Sequence, residues 1–200
     1  MDDGILDRAA ALFARRGFAK TSVQEIADDV GLSKAGLLHH FPTKDALHRA
    51  VLSQAAAQAR RLHDEVGALA PGAERDRIAV ELVVDIAFAH PGMVALLLSP
   101  ATDPAADTGT ADPLCVDPDG TDPGASALRA FGVDPTLPAE AQDTERTVRV
   151  AGALAGLAVL SLAAVQHGTT TAWRPHIVAT CLDALGHSPA RPHRPTHPEN

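Results

Sequence analysis

The chain has 200 residues, enough for one or two domains with a core that needs neither disulfides nor metal to fold. Hydrophobic residues are 46% and charged residues 21%, ordinary globular values that exclude wholesale disorder; two cysteines, Cys115 and Cys181, exclude a disulfide framework and fit a reducing cytoplasm. The net charge is −8, yet residues 1–50 carry seven basic and seven acidic side chains, so the surplus lies beyond them and the head is neutral, unlike a non-specific nucleic-acid binder.

The opening MDDGILDRAA is acidic and then amphipathic, which is not the pattern of a signal peptide. Ile5, Ala9, Leu12 and Phe13 form the apolar stripe of a first helix, which Arg15, Arg16 and Gly17 close. Ser22-Val23-Gln24-Glu25 has the spacing of a capping box and opens a short second helix that Gly31 ends. Ser33 caps a third helix of about seven residues, broken at Phe41-Pro42 because proline disfavours the α conformation of the residue before it. Thr43 caps a long helix over 44–69, which Pro71-Gly72 stops. Helices are predicted over 73–89, then, after the interruption His90-Pro91-Gly92, over 93–98. Residues 99–124 hold five prolines, six aspartates and no lysine or arginine, and are expected to be a mobile loop. Helices over 125–131, 139–166 and 171–185 follow, the last with Pro175 in or near its first turn. The Pro/His-rich stretch 186–200 is expected to be a disordered tail. The longest apolar run, 150–165, is shorter than the roughly 20 residues of a membrane span. No strand alternation and no repeat occurs, so the predicted class is all-α.

Residues 22–40 have helix-turn-helix proportions, a unit that places its second helix in the major groove of DNA. The residues themselves go further. The run ALFARRGFAKTSVQEIADDVGLSKAGLLHHFPTKDAL (11–47) resembles the N-terminal domain of the TetR family of bacterial transcriptional regulators. The resemblance covers the first quarter of the chain: Phe13, Gly17 and Phe18, then Thr21-Ser22-Val23, Ile26-Ala27, Gly31-Leu32-Ser33, Gly36-Leu37 and His40 through Leu47. It implies a three-helix helix-turn-helix head over 1–46, with Phe41 plugging its core, and a larger helical ligand-binding and dimerisation domain over 47–185. It implies a homodimer on a roughly palindromic DNA operator; an unknown small-molecule effector is expected, and no membrane, cofactor or metal.

Carried over residue by residue, the DNA-contacting set is Thr21, Ser22 and Gln24 of helix 2, and Ser33, Lys34, Ala35, Gly36, Leu38 and His39 of helix 3. Lys44, at the start of helix 4, is expected to clamp a phosphate. Lys34 and His39 are the best donors to guanine edges or phosphate. Of the adjacent histidines, His40 is expected to pack inward and His39 to point out. One departure stands out: Leu38 replaces the family's usual tyrosine, and the chain contains no tyrosine.

For the effector pocket the candidate walls are Ile86, Phe88, Met93, Leu97 and Phe131, since pockets are mostly apolar with few polar anchors. Ala151, Gly152, Ala155, Gly156 and Ala163 are small at helical spacing and, with Trp173, make the candidate dimer interface. The implied mechanism is repression relieved when an effector shifts helix 4 and alters the separation of the two reading helices. An enzyme is not expected, because no metalloprotease, P-loop or nucleophile-elbow motif is present. The alternative is a helical interaction protein whose degenerate head no longer binds DNA.

Overall fold

The computed structural model describes residues 2–102 and 123–187. Among them are nine α-helices, one 3-10 turn (Ala139–Ala141) and no strand: α1 Asp2–Arg16, α2 Val23–Val30, α3 Lys34–His40, α4 Lys44–Gly67, α5 Ala73–Ala89, α6 Pro91–Thr102, α7 Pro123–Ala130, α8 Thr144–Gln166 and α9 Thr170–Ala184. The chain is all-α, with an N-terminal helix-turn-helix head and a larger helical C-terminal part.

Two apolar clusters hold it. The head cluster gathers Phe13, Ile26, Ala27, Leu37, Leu47 and Val51, all within 1% of full burial. The body cluster gathers Leu62, Val66, Val80, Val84, Phe131, Val150, Leu157 and Ile177. Helix α4 supplies both: Leu47 and Val51 go to the head and Leu62 and Val66 to the body. At 1.5 Å per residue its 24 residues form a rod of roughly 36 Å, and the head core does not stop at residue 46. Leu96 of α6 also enters the head cluster, so the head meets the body at two helices.

Several expected boundaries move. Helix α6 starts at Pro91 rather than 93, because proline is at ease in a first turn where its missing N–H is not needed. It leaves α5 at a bend of 103° and lies against α1. The approach is close. A Cβ on Gly92 would lie 1.9 Å from the Asp7 carbonyl oxygen, and the Asp7 carboxylate accepts the Met93 amide at 2.9 Å. Of the loop expected over 99–124, residues 99–102 complete α6 and 123–124 open α7, while 103–122 lie outside the described residues. Helix α8 begins at Thr144 rather than 139, because the Asp143 carboxylate caps it by accepting the Arg146 amide at 3.0 Å. Pro175 lies inside α9, beyond its first turn.

The expected tail at 186–200 also changes. Gly186 turns at φ 91°, and His187 places Nε2 2.6 Å from Asp76 Oδ2; only 188–200 lie outside the described residues. Asp76, 1% exposed, receives Arg146 from α8 on its other oxygen at 2.6 Å. Arg146 also donates to the Phe131 carbonyl at 2.9 Å, and Arg75 donates to the Ala130 and Arg129 carbonyls at 2.9 and 3.1 Å. Two guanidinium groups thus satisfy the carbonyls at the end of α7, the cationic capping that a helix C-terminus favours.

The apolar run in α8 reaches further than the 16 residues read from the sequence. At 23 residues, with a mean hydropathy of 2.0 over its best 18, α8 is long and apolar enough to cross a membrane. It packs on α9, α5 and α6 of its own chain, with 33% of that window buried.

Candidate nucleic-acid interface

The geometry of the head starts at the α1–α2 turn. Ser22 is the N-cap of α2 in a complete capping box: its hydroxyl accepts the Glu25 amide at 3.2 Å, and Glu25 accepts the Ser22 amide at 2.8 Å. Arg16, in the last turn of α1, pairs with the same Glu25 carboxylate. The Ser22 amide holds the Glu25 carboxyl below the usual carboxylate range, and the Ser22 hydroxyl and Arg16 add to the effect.

Gly31 ends α2 in the left-handed conformation at φ 73°, where glycine is unstrained. The chain then turns into α3, whose N-cap Ser33 accepts the Gly36 amide at 3.0 Å. A Cβ on Gly36 would lie 3.2 Å from that Ser33 hydroxyl, so the glycine leaves room for the cap as well as for close approach from outside.

One buried anchor orients α3. Leu37 is 1% exposed in the head core, which turns Ser33, Lys34, Ala35, His39 and His40 outward and leaves Gly36 and Leu38 half-buried. Lys34 has no hydrogen bond or ion pair among the described residues, so its ammonium is available to an anion. Ser22 and Gln24 are exposed on α2, and Gln24 donates to Asp28 at 2.7 Å.

Four expectations are corrected here. Thr21 is 1% exposed and its hydroxyl donates to the Gly17 carbonyl at 2.8 Å, which removes that side chain from the contact face. His40 does not pack inward: it is exposed, with its ring 6.4 Å from Phe41. The core histidine is His48 of α4, 7% exposed, its ring 5.2 Å from Phe13 and 4.8 Å from Phe18. Its apolar helical register with Leu47 and Val51 was the signal available in the sequence. Phe41 is half-buried at the edge of the core that Phe13 fills completely. Lys44 differs too: its ammonium donates to the Phe18, Thr21 and Ala19 carbonyls at 2.8, 3.1 and 3.5 Å and lies 4.3 Å from the Phe18 ring centre. Lys20, exposed two residues before Ser22, is a further cation beside this face, to which the family resemblance does not point.

In the body, Phe131 is buried in the core and Phe88 packs against it; Met93 is 4% exposed, and Ile86 and Leu97 are half-buried. On α8, Gly152, Ala155 and Gly156 are exposed, while Ala151 and Ala163 are half-buried. Trp173 of α9 is 36% exposed. Among the described residues no group of three or more His, Cys, Asp or Glu side chains could hold a metal ion.

Comparison with known proteins fits this geometry. Residues 5–51, from α1 into the second turn of α4, match the family described as bacterial regulatory proteins, tetR family. A stretch of 43 residues is 46% identical to the HTH-type transcriptional repressor KstR2 of Rhodococcus jostii (strain RHA1), covering 22% of this chain and 21% of that protein. A stretch of 50 residues is 46% identical to the HTH-type transcriptional regulator RutR of Escherichia coli (strain K12), covering 25% and 24%. The matches span under a quarter of the length of either curated relative. The fold likeness extends over most of the chain. A TetR family transcriptional regulator, PfmR from Thermus thermophilus, aligns with a TM-score of 0.52 at 21% identity over 92% of this chain and 95% of that one. A TetR-like regulator from Rhodococcus sp. RHA1 aligns at 0.50 and 16% identity over 92% and 94%. Residues 5–51 thus match the tetR family of bacterial regulatory proteins in sequence, and the chain shares a helical fold with these two solved regulators.

Proposed function

We propose that this protein is a DNA-binding transcriptional regulator that reads a roughly palindromic operator as a homodimer and is released from it by a small apolar effector. The observation that carries the proposal is the presentation of α3. Leu37 is locked in the core, and the exposed face carries Ser33, Lys34, Ala35 and His39, with Lys34 unpaired among the described residues. Exposed polar and cationic groups at the start of a short, rigidly anchored second helix are what base-edge and phosphate contacts require. Ser22, Gln24, Gly36 and Leu38 complete the reading face, Leu38 offering a methyl contact to thymine.

The homodimer reading rests on the outer face of α8. Val148 is 65% and Val159 56% exposed, and Gly152, Ala155 and Gly156 lie between them. Glycine inside a helix costs about 1 kcal/mol relative to alanine. A Cβ at Gly152 or Gly156 would meet no atom of the protomer within 4 Å, so the space that these glycines keep open serves something outside it. A second copy of α8, with Trp173 and α9 beside it, fits a four-helix contact. Two such heads must place their α3 helices about 34–36 Å apart, one turn of DNA. Helix α4, rooted in both cores, carries an effector-driven shift from Ile86, Phe88, Met93, Leu97 and Phe131 to that separation.

The test is a salt titration of operator binding with duplexes that the protein enriches from a random-sequence pool. Specific binding should weaken with log salt at about 0.9 per neutralised phosphate, and Lys34→Ala should lower affinity with the dimer and its melting unchanged. Binding that is flat in sequence and salt would favour the other reading, a helical interaction protein with a degenerate head.

A further inference from the structure

We infer that Lys44 is a positioning residue: it fixes the α1–α2 turn to the first turn of α4, and so sets the angle of the reading face on the helix that leads into the body. The inference rests on the DNA-binding reading above and changes the role expected of this lysine within it.

The placement of Lys44 is unusual on its own helix. It is the first residue of α4, where the positive end of the helix dipole disfavours a cation. What compensates is a ring of acceptors. The carbonyls of Phe18, Thr21 and Ala19 lie 2.8, 3.1 and 3.5 Å from Nζ, and the Phe18 ring centre lies 4.3 Å away. An ammonium has three donors. All three have acceptors in the turn, and the ring takes up the cation's remaining face. The side chain is half-buried, so the phosphate-clamp role would first require these bonds to break.

The consequence runs through the backbone. The carbonyls that Lys44 holds end one residue before Ser22, the N-cap of α2. From the other side the Thr21 hydroxyl holds the Gly17 carbonyl and Arg16 holds Glu25 of the capping box. One turn along α4, His48 packs its ring 4.8 Å from the same Phe18, so Lys44 and His48 grip Phe18 together. A displacement of α4 therefore carries the turn, α2 and α3 with it.

The test separates a clamp on the protein from a contact with DNA. Lys44→Met keeps the stem and removes the charge. For a positioning residue, affinity for the enriched duplexes falls by about tenfold, the worth of one charge-assisted hydrogen bond, while the slope of log K against log salt stays at the wild-type value. In the free protein, amide exchange at residues 20–25 rises while exchange in the body does not. Lys44→Arg keeps the charge, but its planar fork does not converge on three carbonyls of one turn, so it restores neither affinity nor protection. A slope reduced by about 0.9 with exchange unchanged would overturn the inference, as would Lys44→Arg binding like wild type. If the wild-type protein enriches no duplex, the DNA reading fails and the exchange of residues 20–25 alone decides the clamp. If Lys44→Met loses its helical signal, Lys44→Arg carries the same comparison.

Discussion

Asp76 is the side chain whose removal should harm the body most. It sits in the first turn of α5 with its carboxylate 2% exposed, and its two oxygens face Arg146 and His187, each at 2.6 Å. Through those partners one carboxylate joins α5, the start of α8, the end of α7 by way of the Phe131 carbonyl, and the chain after α9. Asp76→Ala leaves the Arg146 guanidinium without its anion and His187 without its tie. Breaking a buried pair by removing one partner typically costs 3–5 kcal/mol. Arg146 and His187 retain 25% and 24% of their side-chain exposure, so water can reach both orphans and the loss should lie at the low end, about 3 kcal/mol. For a chain of this size that is a fall in Tm of roughly 6–12 °C. The assay is thermal unfolding by circular dichroism at one fixed protein concentration, since association also shifts Tm. Arg146→Met and the double variant close a mutant cycle, in which the double variant should cost less than the sum of the single ones. An Asp76→Ala protein that melts within about 2 °C of wild type would refute the claim that this carboxylate ties the body together.

Other sites give sharper yes-or-no outcomes. Gly92→Ala puts a Cβ 1.9 Å from a backbone oxygen of α1, a contact that no side-chain rotation relieves; it should destabilise by at least 1–3 kcal/mol, read by denaturant unfolding, and a neutral result would mean that α6 does not rest on α1 as described. A Cβ on Gly156 meets nothing within the protomer, so Gly156→Leu should melt near normally as a monomer while sedimentation shows the dimer lost; a variant that sediments as a dimer would remove α8 from the interface. Glu25 has a lowered carboxyl pKa, so it binds fewer protons folded than unfolded, and its contribution to the α2 cap is present above the ordinary carboxylate pKa and lost as pH falls through the lowered value. Exchange protection at Ser22 and Glu25 should therefore persist at the pH where ordinary glutamates, near 4.3, are half protonated, and Glu25→Gln should lack that acid-dependent loss.

Much of the head was legible because its signals are local. A capping box needs only Ser22 and Glu25, a left-handed end needs only Gly31, and a helix break needs only Phe41-Pro42; each is fixed within a few residues and survives folding unchanged. The roles of Thr21, His40 and Lys44 were not legible, since they depend on contacts made outside their own helices. Thr21 reads as an exposed cap neighbour until Gly17 accepts its hydroxyl, and Lys44 reads as a phosphate clamp until the α1–α2 turn closes over it. That neither of two adjacent histidines faces inward depends on a helix phase that a seven-residue helix barely defines. The Asp76 junction was invisible for a stronger reason: its partners lie 70 and 111 residues away.

The two attachments of the head differ in kind, and that difference bears on how a signal would travel. Helix α4 is covalently continuous with the head and shares side chains with both cores, so it transmits rotation and tilt as a rod. Helix α6 touches the head through non-covalent contacts: Gly92 lies on the α1 backbone, Asp7 accepts the Met93 amide and Leu96 enters the head core. A close-packed contact of this kind resists compression and resettles in discrete steps rather than sliding smoothly. An α6 that moved would therefore push α1 or part from it, while α4 kept the head tethered. Since α1 packs against both α2 and α4, a push there changes the seat of the helix-turn-helix on the very rod that Lys44 clamps. The head is best understood as held between a rod and a stop, its angle fixed only while both are in place.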